Sequence, residues 1–201
     1  MKAWIRTSLL VAVLLAPALP AAGQESIALV LVDGTMVKGR LEGLSATEVS
    51  ILPQGEAAPL VLPYDRIEPI HVYYLLRDRL AQATGTDPAR ARLAIADYCL
   101  AHDLFYFGGV EYERAIELDP SLESEAREGL DTAEEGQADA LYRRAIETYS
   151  RGDVPGAKAI LRKAAERFPN SGTVVLINDE LARLDDAARR AAERKAARER
   201  K

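Results

Sequence analysis

Sulfur and imidazole are scarce in this chain of 201 residues. One cysteine, Cys99, excludes an intramolecular disulfide and any multi-cysteine zinc site. The two histidines, His71 and His102, stand 31 positions apart with no acidic cluster beside either, so no metal and no cofactor is expected. Neither histidine has the spacing to activate Cys99, which reads as a small core residue. Gly-rich phosphate loops are absent; Gly108-Gly109 is an isolated pair within a helical stretch. The acids Glu134-Glu135 lie in an exposed acidic run with no apolar pocket to raise a pKa. Aromatic residues make up 6% of the chain, and Tyr73, Tyr74 and Tyr106 read as packing residues. A formal net charge of -5 weighs against overall polyanion binding, and no nucleic-acid partner is expected. These absences favour a protein that binds over one that converts a substrate.

No apolar run reaches the roughly 20 residues that a membrane-spanning helix needs. The run Ser8–Ala16 is too short, follows Lys2 and Arg6, and precedes the small residues Ala21-Ala22-Gly23. That order reads as a secretory signal peptide over residues 1–23, with an uncleaved anchor as the alternative. Pro17 and Pro20 favour cleavage, and no cysteine follows to carry a lipid. The mature protein is expected outside the cytoplasm, periplasmic or secreted.

What the sequence does contain falls into two patterns. Residues 24–71 read as strands. Ser26–Val32 is rich in aliphatic and β-branched residues, and Asp33-Gly34 signals a two-residue hairpin. Leu29 and Leu31 alternate with Val30 and Val32, so both faces of this strand are apolar and the sheet is expected to lean on the helices that follow. Val37, Gly39 and Leu41 then alternate with Lys38, Arg40 and Glu42, the pattern of a half-buried antiparallel strand. Thr47–Leu52 repeats it with Val49 and Ile51 inward, and Pro59–Pro63 reads as a short edge strand. The stretch VLVDGTMVKGRLEGL, with Asp33-Gly34, Gly39 and Leu41, resembles the start of Sm-like small barrels. The resemblance implies a small open barrel bent at Gly39; export sets RNA binding aside.

Residues 72–201 read as helices, giving an α+β fold class overall. Val72, Leu76, Leu80 and Ala83 have helical spacing, ended by Gly85. Asp87-Pro88 reads as an N-cap with proline at the first helical position. Helices are then expected over about Ala89–Ala101 and Leu104–Leu118, with His102 at the end of the first. Two 32-residue windows, ending at Pro120 and Pro169, align on those prolines. Ala96 then meets Ala145, Gly108 meets Ala157, Tyr112 meets Leu161 and Ala115 meets Ala164. Small residues recur where two helices of a hairpin must approach closely, so this is an internal repeat over about 89–120 and 138–169.

The repeat resembles the tetratricopeptide family. The family's places hold Arg92, Ile95-Ala96, Cys99, Gly108, Tyr112, Ala115 and Pro120 in the first window. In the second they hold Leu141, Arg144-Ala145, Thr148, Ala157, Leu161, Ala164 and Pro169. The first window lacks the aromatic opener, and Arg144 replaces a usual apolar residue. Gly152-Asp153 fits the family's inter-helix turn. The prolines lie 49 residues apart, against about 34 for adjacent repeats, because Glu123–Gln137 is inserted. This insert carries six acids and one base, and an insert helix is expected over 121–137, either separate or continuous with the next helix through Gly136. By position, the resemblance implies a concave binding face holding Arg90, Leu93 and Asp97, then Asp139, Tyr142, Ile146 and Tyr149. The arrangement looks like that of many exported bacterial proteins, and a non-catalytic interaction or scaffold protein with a protein or peptide partner is expected.

Over 171–199 a terminal cap helix is expected, started by Asn170 or Ser171 and packed through Val174, Ile177, Leu181 and Leu184. Its ion pairs are read as Asp185 with Arg189 and Asp186 with Arg190. From Arg183 to Lys201 there are eight basic and four acidic residues. A second reading is therefore an envelope accessory touching anionic lipid or polymer through Arg189, Arg190, Arg194, Lys195 and Arg198.

Overall fold

The computed structural model describes residues 26–82 and 87–200, so the leader read over 1–23 and the helix end at Ala83 and Gly85 lie outside the described residues. Among the described residues the fold is α+β: a small antiparallel sheet followed by six α-helices. The chain divides into two compact units between Gly129 and Leu130.

In the first unit, β1 (Ser26–Val30), β2 (Met36–Leu44), β3 (Glu48–Pro53) and β4 (Leu60–Pro63) form a meander in sequence order. β1 stops at Val30, and the expected two-residue hairpin is a three-residue loop. The Gly34 N–H donates to the Leu31 carbonyl at 2.8 Å, and the Leu31 N–H to the Thr35 carbonyl at 2.8 Å. Gly34 takes the left-handed position (φ 83°) that closes such a loop. The Asp33 carboxylate accepts from the Thr35 N–H, an added local tie that holds the turn. At Gly39 the reason for glycine is proximity, since a Cβ there would lie 2.2 Å from the Leu52 carbonyl oxygen of β3. After β4 and a 3-10 turn (Tyr64–Arg66), the chain returns to β1. The Val32 N–H donates to the Arg66 carbonyl, the Glu68 N–H to the Val30 carbonyl, and Leu31 bridges Ile67. The return covers what would be an open edge.

Helix α1 (Pro69–Gln82) follows, then the hairpin of α2 (Pro88–Ala101) and α3 (Phe105–Leu118). The sheet shares one core with these helices: Leu29, Leu31, Val49, Ile51, Leu62 and Ile67 pack with Val72, Leu76, Ile95 and Cys99. Each fully buried aliphatic side chain contributes about 1.5–3 kcal/mol, so the sheet draws much of its stability from the helices. The second apolar face expected of Ser26–Val32 is not fully buried: Val30 at the end of β1 is half-buried, and Val32 in the loop is 51% exposed. The Asp87 carboxylate caps α2 by accepting from the Ala89 and Arg90 N–H groups.

After a 3-10 turn (Pro120–Leu122), the acidic insert does not form a helix of its own. It runs unbroken into the second window as α4 (Glu123–Ser150). In the second unit α4 continues to α5 (Val154–Arg167) and α6 (Thr173–Glu199), around Ala145, Leu161, Ala164, Ile177 and Leu184. The start of α6 corrects the expected cap. Neither Asn170 nor Ser171 caps it; the Glu135 carboxylate of α4 accepts from the Gly172 N–H (2.6 Å), the Thr173 N–H (2.9 Å) and the Thr173 hydroxyl (2.6 Å). The ion pairs of α6 are also rearranged. Lys158 of α5 takes Asp185, and Arg189 pairs with Asp186 one turn back.

The two hairpins repeat each other at a shift of 49 residues, down to single hydrogen bonds. α3 and α5 then coincide end to end. Asp103 (φ 58°) and Gly152 (φ 88°) occupy the same left-handed turn position. Beside them, the Leu104 N–H donates to the Cys99 carbonyl (2.8 Å), and the Asp153 N–H to the Thr148 carbonyl (3.2 Å). At the far ends the Leu122 N–H donates to Asp119 and the Ser171 N–H to Phe168. The paired alanines Ala96/Ala145 and Ala115/Ala164 are fully buried, as close approach of the helices requires.

Candidate functional site

The most distinctive surface of the first unit rests on a buried charge. Glu111 of α3 is 0% exposed. A carboxylate in that position is tolerated only when it is paired and hydrogen-bonded. Arg92 of α2 supplies a guanidinium N–H, Tyr73 of α1 donates its hydroxyl at 3.0 Å, and Arg114 lies 3.6 Å away. Burial, with the nearby Glu111 charge, pushes the Tyr73 hydroxyl up to about 12, so it remains a donor.

Tyr73 anchors an aromatic stack that climbs to the surface. Its ring lies 4.7 Å from Phe107, and Phe107 meets Tyr74 at 6.2 Å and Tyr106 at 5.4 Å, both edge-on. Such offset and edge contacts are the favoured aromatic geometries. The Arg77 guanidinium lies 4.9 Å over Tyr74 and 5.7 Å over Tyr73. The upper members are open to solvent, Tyr106 by 54% and Tyr74 by 39%. All three expected packing tyrosines make ring contacts, but Tyr73 alone of them is buried. One local signal was available: Tyr73 and Tyr74 precede Arg77 by four and three residues, the spacing that stacks side chains along a helix. Phe107 gave none, because Tyr73 and Tyr74, the partners that join it to the stack, come from α1, well before it in the chain.

The positions of the tetratricopeptide-like face are distributed differently. In the first unit Arg90 is exposed and pairs with Glu125 at 2.6 Å, Leu93 is only 6% exposed, and Asp97 accepts from the Tyr112 hydroxyl at 2.5 Å. In the second unit Asp139 pairs with Arg143 at 3.0 Å. Tyr142 and Tyr149 are half-buried against the core of that unit, Ile146 is half-buried, and Arg183 of α6 lies 5.0 Å over the Tyr149 ring.

No protein-family model, curated protein or solved structure matches this chain.

Cys99 is fully buried, and burial, helped by the Glu111 charge, pushes its thiol up to about 12, where it stays protonated. The His102 ring stacks on Tyr98 at 4.4 Å. Among the described residues no group of three His, Cys, Asp or Glu side chains could hold a metal ion, and no helix is long and apolar enough to cross a membrane.

Of the five basic residues expected to touch an anionic surface, two are engaged: Arg189 with Asp186 at 2.9 Å and Lys195 with Glu199 at 3.9 Å. Arg190, Arg194 and Arg198 are exposed, spaced by four residues, and form no ion pair among the described residues.

Proposed function

We propose that this is an exported, non-catalytic interaction protein: a small open-barrel module joined to tetratricopeptide-like helical hairpins that capture a protein partner. The observation that carries the reading is the exposed Tyr74–Phe107–Tyr106 stack, fixed from below by the hydrogen bond from Tyr73 to buried Glu111. Rigid aromatic groups lose little conformational entropy on binding and dominate protein interfaces. The hairpins repeated at 49 residues, with their turns at Asp103 and Gly152, support the helical-repeat part of the reading. The leader-like residues Lys2 to Gly23 support export. The half-buried Tyr142 and Tyr149 of the second unit remain candidates for the same partner.

The test is capture from envelope extract by the full chain, compared with Tyr74→Ala/Tyr106→Ala and with Tyr142→Ala/Tyr149→Ala. A bound protein lost with the first pair, at unchanged helical circular dichroism, is the expected result. Equal capture by all three forms would refute an aromatic interface.

A further inference from the structure

The 49-residue equivalence reaches the packing faces of the helices. In α2 the face toward α3 includes Arg92, Ala96 and Leu100; the same shift gives Leu141, Ala145 and Tyr149 in α4, and a second shift gives Arg190, Arg194 and Arg198 in α6. Ala96 and Ala145 are fully buried, and Leu141 and Tyr149 pack into the core that holds Leu161 and Ala164 of α5. On α6 the equivalent positions are open. Arg194 stands where Ala96 and Ala145 allow close approach, so α6 presents a charged face at the position that is packed in the two hairpins.

The first hairpin shows what an arginine does at this position. Arg92, equivalent to Arg190, pairs with the Glu111 carboxylate presented by α3, the helix that packs across α2. From that pairing and the three unpaired guanidinium groups, we infer that the Arg190–Arg194–Arg198 stripe of α6 is a docking face for an acidic helix of a protein partner. The partner would present Asp or Glu at four-residue spacing to the three guanidinium groups, without the close backbone approach that Ala96 allows between α2 and α3. Guanidinium forks match carboxylates in a bidentate manner. One exposed ion pair contributes little, whereas three on a single rigid stripe act as a network. A lipid surface fits less well, because the apolar residues between Arg190 and Arg198 are all alanines, with no Trp, Phe or Leu to insert, and Glu193 stands among them. The stripe shares no residue with the aromatic stack, so either assignment can fail without the other.

The probe is a fluorescein-labelled synthetic helix carrying Glu at i, i+4 and i+8. It is compared with an isomer of equal composition whose Glu residues are spread around the helix, and with vesicles of phosphatidylglycerol and phosphatidylcholine. The full chain is titrated beside Arg190→Gln/Arg194→Gln/Arg198→Gln and beside Arg189→Gln, whose arginine is already paired. The expected result is binding of the striped helix at least about tenfold tighter than of the isomer. That preference should vanish in the triple variant, at unchanged circular dichroism, and persist in Arg189→Gln. Equal binding of both peptides, a triple variant that binds like the parent, or vesicle binding lost in the triple variant without peptide binding would each overturn the assignment.

Discussion

At the scale of single residues, the least expected feature is Glu135. The sequence places it in an acidic run, yet its carboxylate serves as the cap of α6, a helix that begins 38 residues later. The Thr173 hydroxyl first, then the Gly172 and Thr173 N–H groups, hold its carboxyl below the ordinary value of 4.5, against the opposing effect of burial. A carboxylate whose folded pKa is depressed stabilises fully above its unfolded value and loses that contribution as pH falls through the folded one. We therefore predict that Glu135→Gln lowers stability by about 0.5–2 kcal/mol at neutral pH. The difference from the parent should shrink as pH falls below 4.5, measured by urea denaturation along a pH series. Local caps were legible in the sequence because their partners lie within three residues: Asp87 before Pro88, and Asp153, whose carboxylate accepts from the Gly156 N–H. Glu135, like the pairs Arg92–Glu111 and Tyr112–Asp97, was not, since its partner is set by tertiary packing that no local spacing encodes.

At the scale of elements, the two hairpins share a backbone and differ in how they fill it. Where the first uses the ion pair Arg92–Glu111 and the hydrogen bond from Tyr112 to Asp97, the second has Leu141 and Ile160, and Leu161 and Ile146, at the equivalent positions. A buried pair is a weak source of stability, but a buried charge left alone is costly. Arg92→Leu alone is predicted to destabilise by about 3–5 kcal/mol. Adding Glu111→Ile and Tyr73→Phe, which installs the apolar pair of the second hairpin and removes the stranded hydroxyl, should recover most of that loss. Thermal and urea unfolding of the single and triple variants check this; a triple variant as unstable as the single one would mean that the ion pair stabilises the hairpin in its own right. The helix positions were readable from periodicity, but the continuity of α4 through the insert was not, because Gly136 and the thin apolar stripe of Leu122, Ala126 and Leu130 fit a broken or an unbroken helix equally.

At the scale of the whole molecule, the sheet and the first helices form one cooperative body. A fragment from Gln24 to His71 would lack Val72, Tyr73, Leu76, Ile95 and Cys99, the helical side of its core. It is predicted to show no cooperative thermal transition, since a module of that size is marginal even when its core is complete; a sharp melt of the fragment would show a self-sufficient sheet. The alternation of Val37, Gly39 and Leu41 made the strands legible, while the return of Arg66–Glu68 to β1 carried no periodic signal, being a crossing of three residues. The binding reading depends on the repeated hairpins, and residue-resolved amide hydrogen exchange tests them most directly. The prediction is two equivalent protected helix pairs, over 88–118 and 138–167, each interrupted by fast exchange at its turn near Asp103 and Gly152, with protection fading along α6 beyond Leu184. Uninterrupted protection through either turn, or only one protected pair, would contradict it.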